Sequence, residues 1–204
     1  MAFPVELASI LTGASVNTLR RWSRQELISP ELSPSRPMLY SFRDLVALRS
    51  VCYLRSEISL QKIRKAIAHL PEQHFTEHLS EYKFATDGAT VVVWTDSGFV
   101  DLVRNPGQFH FVTLREIYRP FLNQARKEVV DFEHPRQTIE VAPGRLGGFP
   151  TIVGTRVPYD TVAKLQRGPN ALPPEDIQRF FPGVSKAAAL DAANLADEVE
   201  AAAA

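Results

Sequence analysis

The sequence is poor in features that stabilise extracellular and membrane proteins. Cys52 is the only cysteine among 204 residues, and one cysteine cannot form an internal disulfide or supply a cysteine-rich zinc site. No apolar run approaches the roughly 20 residues that a membrane-spanning helix needs. The first residues also lack the basic and apolar parts of a secretory signal. We therefore expect a cytoplasmic protein with no membrane association, no cofactor and no metal site.

Net charge is absent as well, because 23 basic residues balance 23 acidic ones. The charges are nevertheless unevenly distributed. Residues 1–70 hold 10 Arg or Lys against 5 Asp or Glu, residues 71–135 hold 6 against 10, and residues 136–204 hold 7 against 8. A phosphate responds to the local potential rather than to the total charge. The first third of the chain is therefore the place where a nucleic acid would bind.

A basic helix is predicted within this first third. Residues 15–30 read SVNTLRRWSRQELISP. Gly13 is typical of the end of one helix, and Ser15 is typical of the residue that caps the next. Val16 and Leu19 have helical spacing and predict an inward face, and the same spacing leaves open that Trp22 belongs to it. The polar and basic side chains are left to face outward.

A stiff loop follows this helix, with three prolines between residues 30 and 37. The loop predicts a two-stranded wing that returns at residues 38–40. Ser41 is suited to cap a further helix, with Asp44 at its positive end. The order of turn, capped basic helix, loop and capped helix is typical of a helix-turn-helix unit.

In a helix-turn-helix, the second helix presents its N-terminal face to the bases, and flanking arginines hold phosphates. The candidate base-contacting residues are Ser15, Asn17, Thr18 and Arg21, and the candidate phosphate-contacting residues are Arg20, Arg24 and Arg36. Helical periodicity alone leaves open an alternative, in which this is a solvated basic helix without a partner.

The stretches LTGASVNTLRRWSRQELISP and MLYSFRDLVALRSVCYLRSEISLQKIRKAI resemble the winged-helix DNA-binding domain of MerR-type regulators. The resemblance covers about residues 5–67. It implies that Trp22 lies on the recognition helix, that Tyr40 follows the wing and that Arg43 opens the next helix. These three residues join the candidate DNA-binding set. The cysteine ligands of metal-sensing members are missing, so the resemblance implies simple DNA binding.

The remaining two thirds contain fewer signals. We predict a helix that continues to about residue 82, strands near residues 89–94 and on either side of residues 105–107, and a helix over residues 113–130. The C-terminal part predicts a short strand, a tight hairpin and three short helices, the last of them capped by Ser185. The predicted fold is mainly α with minor β, in three parts: 1–70, 71–135 and 136–204.

A second resemblance covers about residues 138–199. The stretches GGFPTIVGTRVPYDTVAKL and LPPEDIQRFFPGVSKAAALDAA resemble the small helix-turn-helix domain of VapB-like antitoxins. It implies a PIN-like ribonuclease toxin as partner and the chain's own operator DNA as a target, and we expect a homo-oligomer. Ser185 and Lys186 would head a second possible DNA-binding helix. The alternative is a structural three-helix unit with no DNA site of its own.

PIN-like toxins cut RNA with a cluster of acidic residues and Mg²⁺. The resemblance therefore implies that an antitoxin blocks or occludes that acidic site. Arg145 or Arg156 is a candidate for a cation that occupies it.

The sequence HFTEH, residues 74–78, is a short candidate for a catalytic metal site. His74 and His78 have the spacing of two zinc ligands on a helix, with Glu77 as a base. Such short patterns often occur by chance, and an exposed polar helix face is the better interpretation. No phosphate-binding glycine loop or nucleophile turn is present, so we predict that the protein is not an enzyme.

The predicted function is therefore that of an antitoxin that binds a toxin and its own operator. The alternative is a one-component MerR-like regulator whose middle segment binds a small molecule. In that case a pocket would be lined by aromatic residues, namely Tyr82, Phe84, Trp94, Phe99, Phe109 and Phe111, although a plain core is the simpler account of them.

Overall fold

The structure is a computed structural model that describes residues 2–70, 78–81, 83–86, 91–95, 98–102, 110–111 and 114–203. Within these ranges the fold is mainly α with minor β, as predicted. The helices are α1 Val5–Thr12, α2 Val16–Arg24, α3 Phe42–Glu57, α4 Leu60–His69, α5 Leu114–Tyr118, α6 Tyr159–Leu165, α7 Ile177–Phe180 and α8 Lys186–Ala201. The strands are β1 Phe3–Pro4, β2 Leu39–Tyr40, β3 Lys83–Thr86, β4 Val91–Thr95, β5 Gly98–Asp101, β6 His110–Phe111, β7 Phe121–Leu122, β8 Glu128–Val129, β9 Ile139–Glu140 and β10 Thr151–Ile152.

Helices α1 and α2 form the helix-turn-helix unit that the sequence predicted. Helix α1 ends at Gly13, which has a left-handed φ of 80° and donates its N–H to the Ser9 carbonyl oxygen at 3.0 Å. The Ser15 side chain accepts a hydrogen bond from the Thr18 N–H, so it caps α2. Leu19 is fully buried on the inner side of α2. The local signals therefore set both the turn and the start of the second helix.

The wing is small, and backbone hydrogen bonds hold the two ends of its loop together. Strand β2 pairs with β1, and within the loop Ser33 and Leu39 exchange two backbone hydrogen bonds. Ser41 caps α3 in a reciprocal arrangement, because its side chain accepts from the Asp44 N–H and its own N–H donates to Asp44. The cap confirms the sequence prediction, whereas the predicted two-stranded wing is reduced to the single Ser33–Leu39 bridge, because β2 pairs with β1 instead.

Helix α4 ends at His69, earlier than the predicted residue 82, and a 3₁₀ turn covers Leu79–Glu81. The strands form an antiparallel sheet of order β5-β4-β3-β6. Phe84 and Val91 of this sheet are buried and lie against Ala47 of α3 and Ile63 of α4. The sheet therefore packs against α3 and α4.

The helix predicted over residues 113–130 is wrong. Helix α5 ends at Tyr118, and β7 then pairs with β8 in a short hairpin. Pro120 lacks the N–H that a continuing helix needs. The Asn123 side chain accepts hydrogen bonds from the N–H groups of Ala125 and Lys127, which closes the turn. An asparagine that binds its own backbone in this way competes with helix formation.

The C-terminal part is built on the packing of α6 against α8. Strand β10 pairs with β9, and the short helix α7 begins at Ile177. Helix α8 also contacts α1. Buried residues from Phe3 to Ala196 form one connected apolar cluster. The predicted boundaries near residues 70 and 135 remain a prediction.

Candidate DNA-binding interface

The outer face of α2 carries the polar and basic side chains that the sequence analysis selected. Asn17, Arg20, Arg21 and Arg24 are exposed, as is the capping Ser15, and Thr18 is half-buried. The Arg20 guanidinium lies 3.8 Å from Glu6, with half of its side chain exposed. Surface ion pairs of this kind contribute little, so Arg20 stays available to another anion. The face therefore presents positive charge to solvent.

Two further arginines, which sequence reasoning missed, extend this positive surface. Arg55 of α3 donates to Gln124, and Arg64 of α4 donates to Gln25 just beyond α2. Burial lowers the pKa of Arg55, and the charges of Arg21 and Arg64 lower it further. Helix packing brings these side chains together from separate parts of the chain. The basic excess of residues 1–70 was the only sequence signal for them.

Trp22 and Tyr40 have 0% exposed surface, which corrects their place in the candidate set. Trp22 packs in the core beneath α2, with the Arg55 guanidinium carbon 5.7 Å from its ring centroid. The Tyr40 hydroxyl donates to the Met38 sulfur at 3.2 Å. Burial raises the pKa of Tyr40 well above its ordinary value, with a smaller effect from Asp44. Neither ring can therefore contact DNA directly, and both belong to the apolar core instead.

The two arginines expected around the wing both reach solvent. Arg36 is exposed in the loop. Arg43 lies at the start of α3, half-exposed, with its Nε 3.5 Å from Glu81. Arg43 therefore shares its charge with a carboxylate, whereas Arg36 has no carboxylate partner within the described ranges.

Comparison with known protein families gives two matches. Residues 4–70, which span α1 to α4, match the model described as MerR HTH family regulatory protein. The chain carries a MerR-family helix-turn-helix domain. Residues 139–196 match a second model, described only as a protein of unknown function, DUF433. No curated protein and no solved structure matches the chain.

The MerR-family domain matches a DNA-binding class of regulator, and its helix α2 carries the exposed arginines described above. In the helices of the described part, no segment is both long enough and apolar enough to cross a membrane.

The second possible DNA-binding helix, α8, begins as the sequence predicted. The Ser185 side chain caps it by accepting from the Ala188 N–H. The Lys186 ammonium lies 3.7 Å from Glu175, and both side chains are largely exposed. The next side chains after Lys186 are three alanines, which offer no charge to a phosphate. DNA binding by α8 stays a prediction.

One cluster of potential metal ligands lies within the described residues: Glu31, Asp44 and His78. The Ser80 N–H donates to His78 Nδ1 at 3.2 Å, which leaves the ring proton on Nε2. Nε2 lies 3.3 Å from an Asp44 oxygen and donates to it. A protonated Nε2 has no lone pair for a metal, so hydrogen bonding accounts for the cluster. His74 and Glu77 of the HFTEH pattern lie outside the described residues.

Proposed function

We propose that this protein is a DNA-binding transcription regulator and the antitoxin of a type II toxin–antitoxin system. It neutralises a PIN-like ribonuclease toxin and binds its own operator. The observation that carries the DNA-binding half is the exposed basic face of α2 within a MerR-family domain. This half does not depend on the toxin, so the two parts of the proposal can be tested separately.

In the proposed complex, α2 lies in the major groove. Asn17, Thr18 and Arg21 face the base edges, and Arg20 and Arg24 contact phosphates on either side. Arg36 reaches a neighbouring phosphate from the wing. A homodimer would place two such helices on two half-sites. Light scattering of the purified chain measures that oligomeric state.

The antitoxin half of the proposal concerns the C-terminal unit. Its resemblance to VapB-like antitoxins supports it, and so do three large apolar side chains that the unit exposes. Val153 is 43% exposed, Phe180 62% and Leu190 44%. Large exposed apolar side chains are suited to a protein partner. The toxin would cover these side chains in the complex.

The two arginines that were considered as a cation for the toxin's acidic site differ in their contacts. Arg145 donates to Glu140, which also accepts from the Gly154 N–H, so Arg145 holds the loop together. Arg156 is exposed and has no carboxylate partner within the described ranges. We assign the proposed role to Arg156. Full neutralisation of the toxin by an Arg156→Ala variant would contradict it, with Lys164→Ala, whose side chain is 74% exposed on α6, as a matched control on the same unit.

Co-expression with the neighbouring reading frame tests the antitoxin half. We expect the two chains to co-purify and the neighbour's ribonuclease activity to be suppressed in the complex. If they do not associate while specific DNA binding is intact, the antitoxin half fails and the regulator half stands.

The alternative function, a one-component regulator, would then be favoured. The aromatic pocket that it assumed gains no support from the described side chains. Phe84 is 6% exposed and packs in the core, and the side chains of the other five aromatics lie outside the described part of the structure. A small molecule would have to bind elsewhere.

A further inference from the structure

A cavity of about 460 Å³ lies beside the start of α2. Three parts of the chain form its walls: Ser15 and Thr18 from the MerR-family domain, Asn123 and Lys127 from the β7–β8 hairpin, and Glu198 from α8. Its volume is within the range of about 300–1,000 Å³ that is typical of small-molecule sites. The cavity is therefore large enough for a small ligand.

The deeper part of the cavity is apolar. Ile10, Trp22, Cys52 and Val129 line it, and the last three are buried. Burial raises the pKa of the Cys52 thiol to about 12, so the thiol is neutral at physiological pH. This floor is suited to the flat apolar body of a ligand.

Two residues that line this cavity each have a side-chain N–H with no hydrogen-bond acceptor. Trp22 Nε1 and Arg55 Nε are both buried, and neither has an acceptor. The large majority of buried polar groups are paired, so each unpaired one requires an explanation. Two neighbouring donors, one of them charged, suit an acceptor that has two oxygens and a negative charge.

The charges around Arg55 favour an anion. Within the described residues no carboxylate is paired with Arg55, whose side chain contacts the neutral amide of Gln124 and the ring of Trp22. Of the two glutamates that line the cavity, Glu198 is paired with Arg136, and Glu128 is exposed on β8. The positive charge of Arg55 is therefore not neutralised from within the described structure.

We propose that this cavity binds a small aromatic carboxylate. Its carboxylate accepts from Arg55 and Trp22, and its ring lies on the apolar floor. A DNA duplex is too wide to bring a phosphate to the floor of the cavity, whereas a small molecule can enter it. Helix α2 forms one wall, so the ligand would contact the same helix that is proposed to bind the operator.

Tryptophan fluorescence tests the proposal directly. The chain has two tryptophans, so a Trp94→Phe variant leaves Trp22 as the only one. We expect benzoate to change its fluorescence along a saturating curve, with a Kd of about 1 mM or tighter. Benzamide, which has the same ring and no charge, should bind about tenfold more weakly, because hydrogen bonds to charged groups are the stronger ones.

Two variants in the Trp94→Phe background locate the site. Arg55→Met should weaken benzoate binding about tenfold, whereas Arg64→Met removes a nearby arginine that does not line the cavity and should weaken binding much less, because only its charge acts on the ligand. Ser9→Phe fills the cavity from α1 and leaves Arg55 and Trp22 unchanged, and it should abolish binding. Thermal unfolding of each variant identifies any that does not fold.

The proposal is overturned if benzoate, phenylacetate and phenyl phosphate all give no saturating change up to about 20 mM. Equal losses from Arg55→Met and Arg64→Met would overturn it too, since a general loss of positive charge would explain both. The titration contains no DNA and no toxin. Its failure is therefore distinct from a failure of the proposed function, which is measured by operator binding and co-purification.

Discussion

The buried guanidinium of Arg49 donates a hydrogen bond to the carbonyl oxygen of Val130 at 2.6 Å, across 81 residues of chain. Arg49 lies on α3, and Val130 follows the β7–β8 hairpin. The same guanidinium donates to the carbonyl oxygens of Leu11, Ile117, Tyr118 and Arg119. It also lies between the rings of Phe121 and Phe132, at 5.1 and 5.3 Å from their centroids. One side chain thus fastens the MerR-family domain to the segment that follows the sheet.

Arg49→Met should strongly destabilise the protein. Burial lowers the pKa of Arg49 to about 10, so it remains charged at neutral pH and its donors satisfy several buried carbonyls. Leaving a buried carbonyl unpaired costs about 1–3 kcal/mol. We expect the free energy of unfolding, measured in urea, to fall by about 3 kcal/mol or more. Arg119→Met, at an exposed position in the same region, should change it by less than about 0.5 kcal/mol.

Gly13 provides a test of how the hairpin is attached to the helix-turn-helix. A Cβ on Gly13 would lie 2.4 Å from a Val129 methyl group, at a residue whose φ is +80°. Gly13→Ala should therefore cost about 2–4 kcal/mol from backbone strain and overpacking together. Gly154 has a φ of +73° and nothing within 4 Å of the added Cβ. Gly154→Ala should cost only the strain, about 1–2 kcal/mol.

The double variant Gly13→Ala with Val129→Ala isolates the contact. The double variant should lose about 1 kcal/mol less unfolding free energy than the two single variants together, because the Val129 change removes the clash. Strictly additive costs would mean that the hairpin does not press on the turn at Gly13.

Local signals explain what could be predicted from the sequence. Gly13, Ser15, Ser41 and Ser185 each act on the backbone within four residues, so their roles as a helix end and as caps could be predicted without knowledge of the fold. The MerR-family domain was recognisable for the same reason, since its turn, helix and wing follow one another in the chain.

Long-range packing explains what could not be predicted. Residues 113–130 have helical apolar spacing, and the local signals against a helix, Pro120 and Asn123, were outweighed in the prediction by that spacing. The position of the hairpin depends on the distant Arg49, which no local pattern indicates. The burial of Trp22 and Tyr40 also depends on partners elsewhere in the chain. A periodic pattern shows which side chains share a face, but it does not show what covers that face.

DNA binding by α2 should depend steeply on salt. If about five phosphates are contacted, the logarithm of affinity should fall with the logarithm of salt concentration with a slope of about −4 to −5. Arg20→Ala should weaken binding to all sequences and reduce the steepness of that slope by about 1. Arg21→Ala should also reduce the preference for the operator over random DNA. Fluorescence anisotropy over a salt series measures both quantities.

The matched control for these variants is Arg179→Ala. Its side chain is 78% exposed on α7, so it changes the net charge equally at a site away from α2. It should leave the affinity and the slope unchanged. Equal effects of Arg20→Ala and Arg21→Ala on operator and random DNA would contradict the division between phosphate and base contacts.

Cys52 should be unreactive in the folded protein and should make stability depend on alkaline pH. Burial raises its pKa from 9.0 to about 12, so alkylation by iodoacetamide at about pH 8 should require unfolding and should accelerate in denaturant. Between pH 9 and about pH 12 the unfolded chain loses this proton while the folded chain keeps it. Stability is therefore lost as pH rises through that window, by up to about 1.4 kcal/mol per pH unit from this group.

Cys52→Ala separates the thiol from the buried tyrosines, whose pKa values are also raised. The difference in unfolding free energy between the two proteins should stay constant below about pH 8 and shift in favour of the variant above about pH 9. A pH-independent difference would mean that the thiol ionises equally in both states. Rapid alkylation without denaturant would mean that solvent reaches the Cys52 thiol in the folded protein, so that the thiol is not buried in the floor of the cavity.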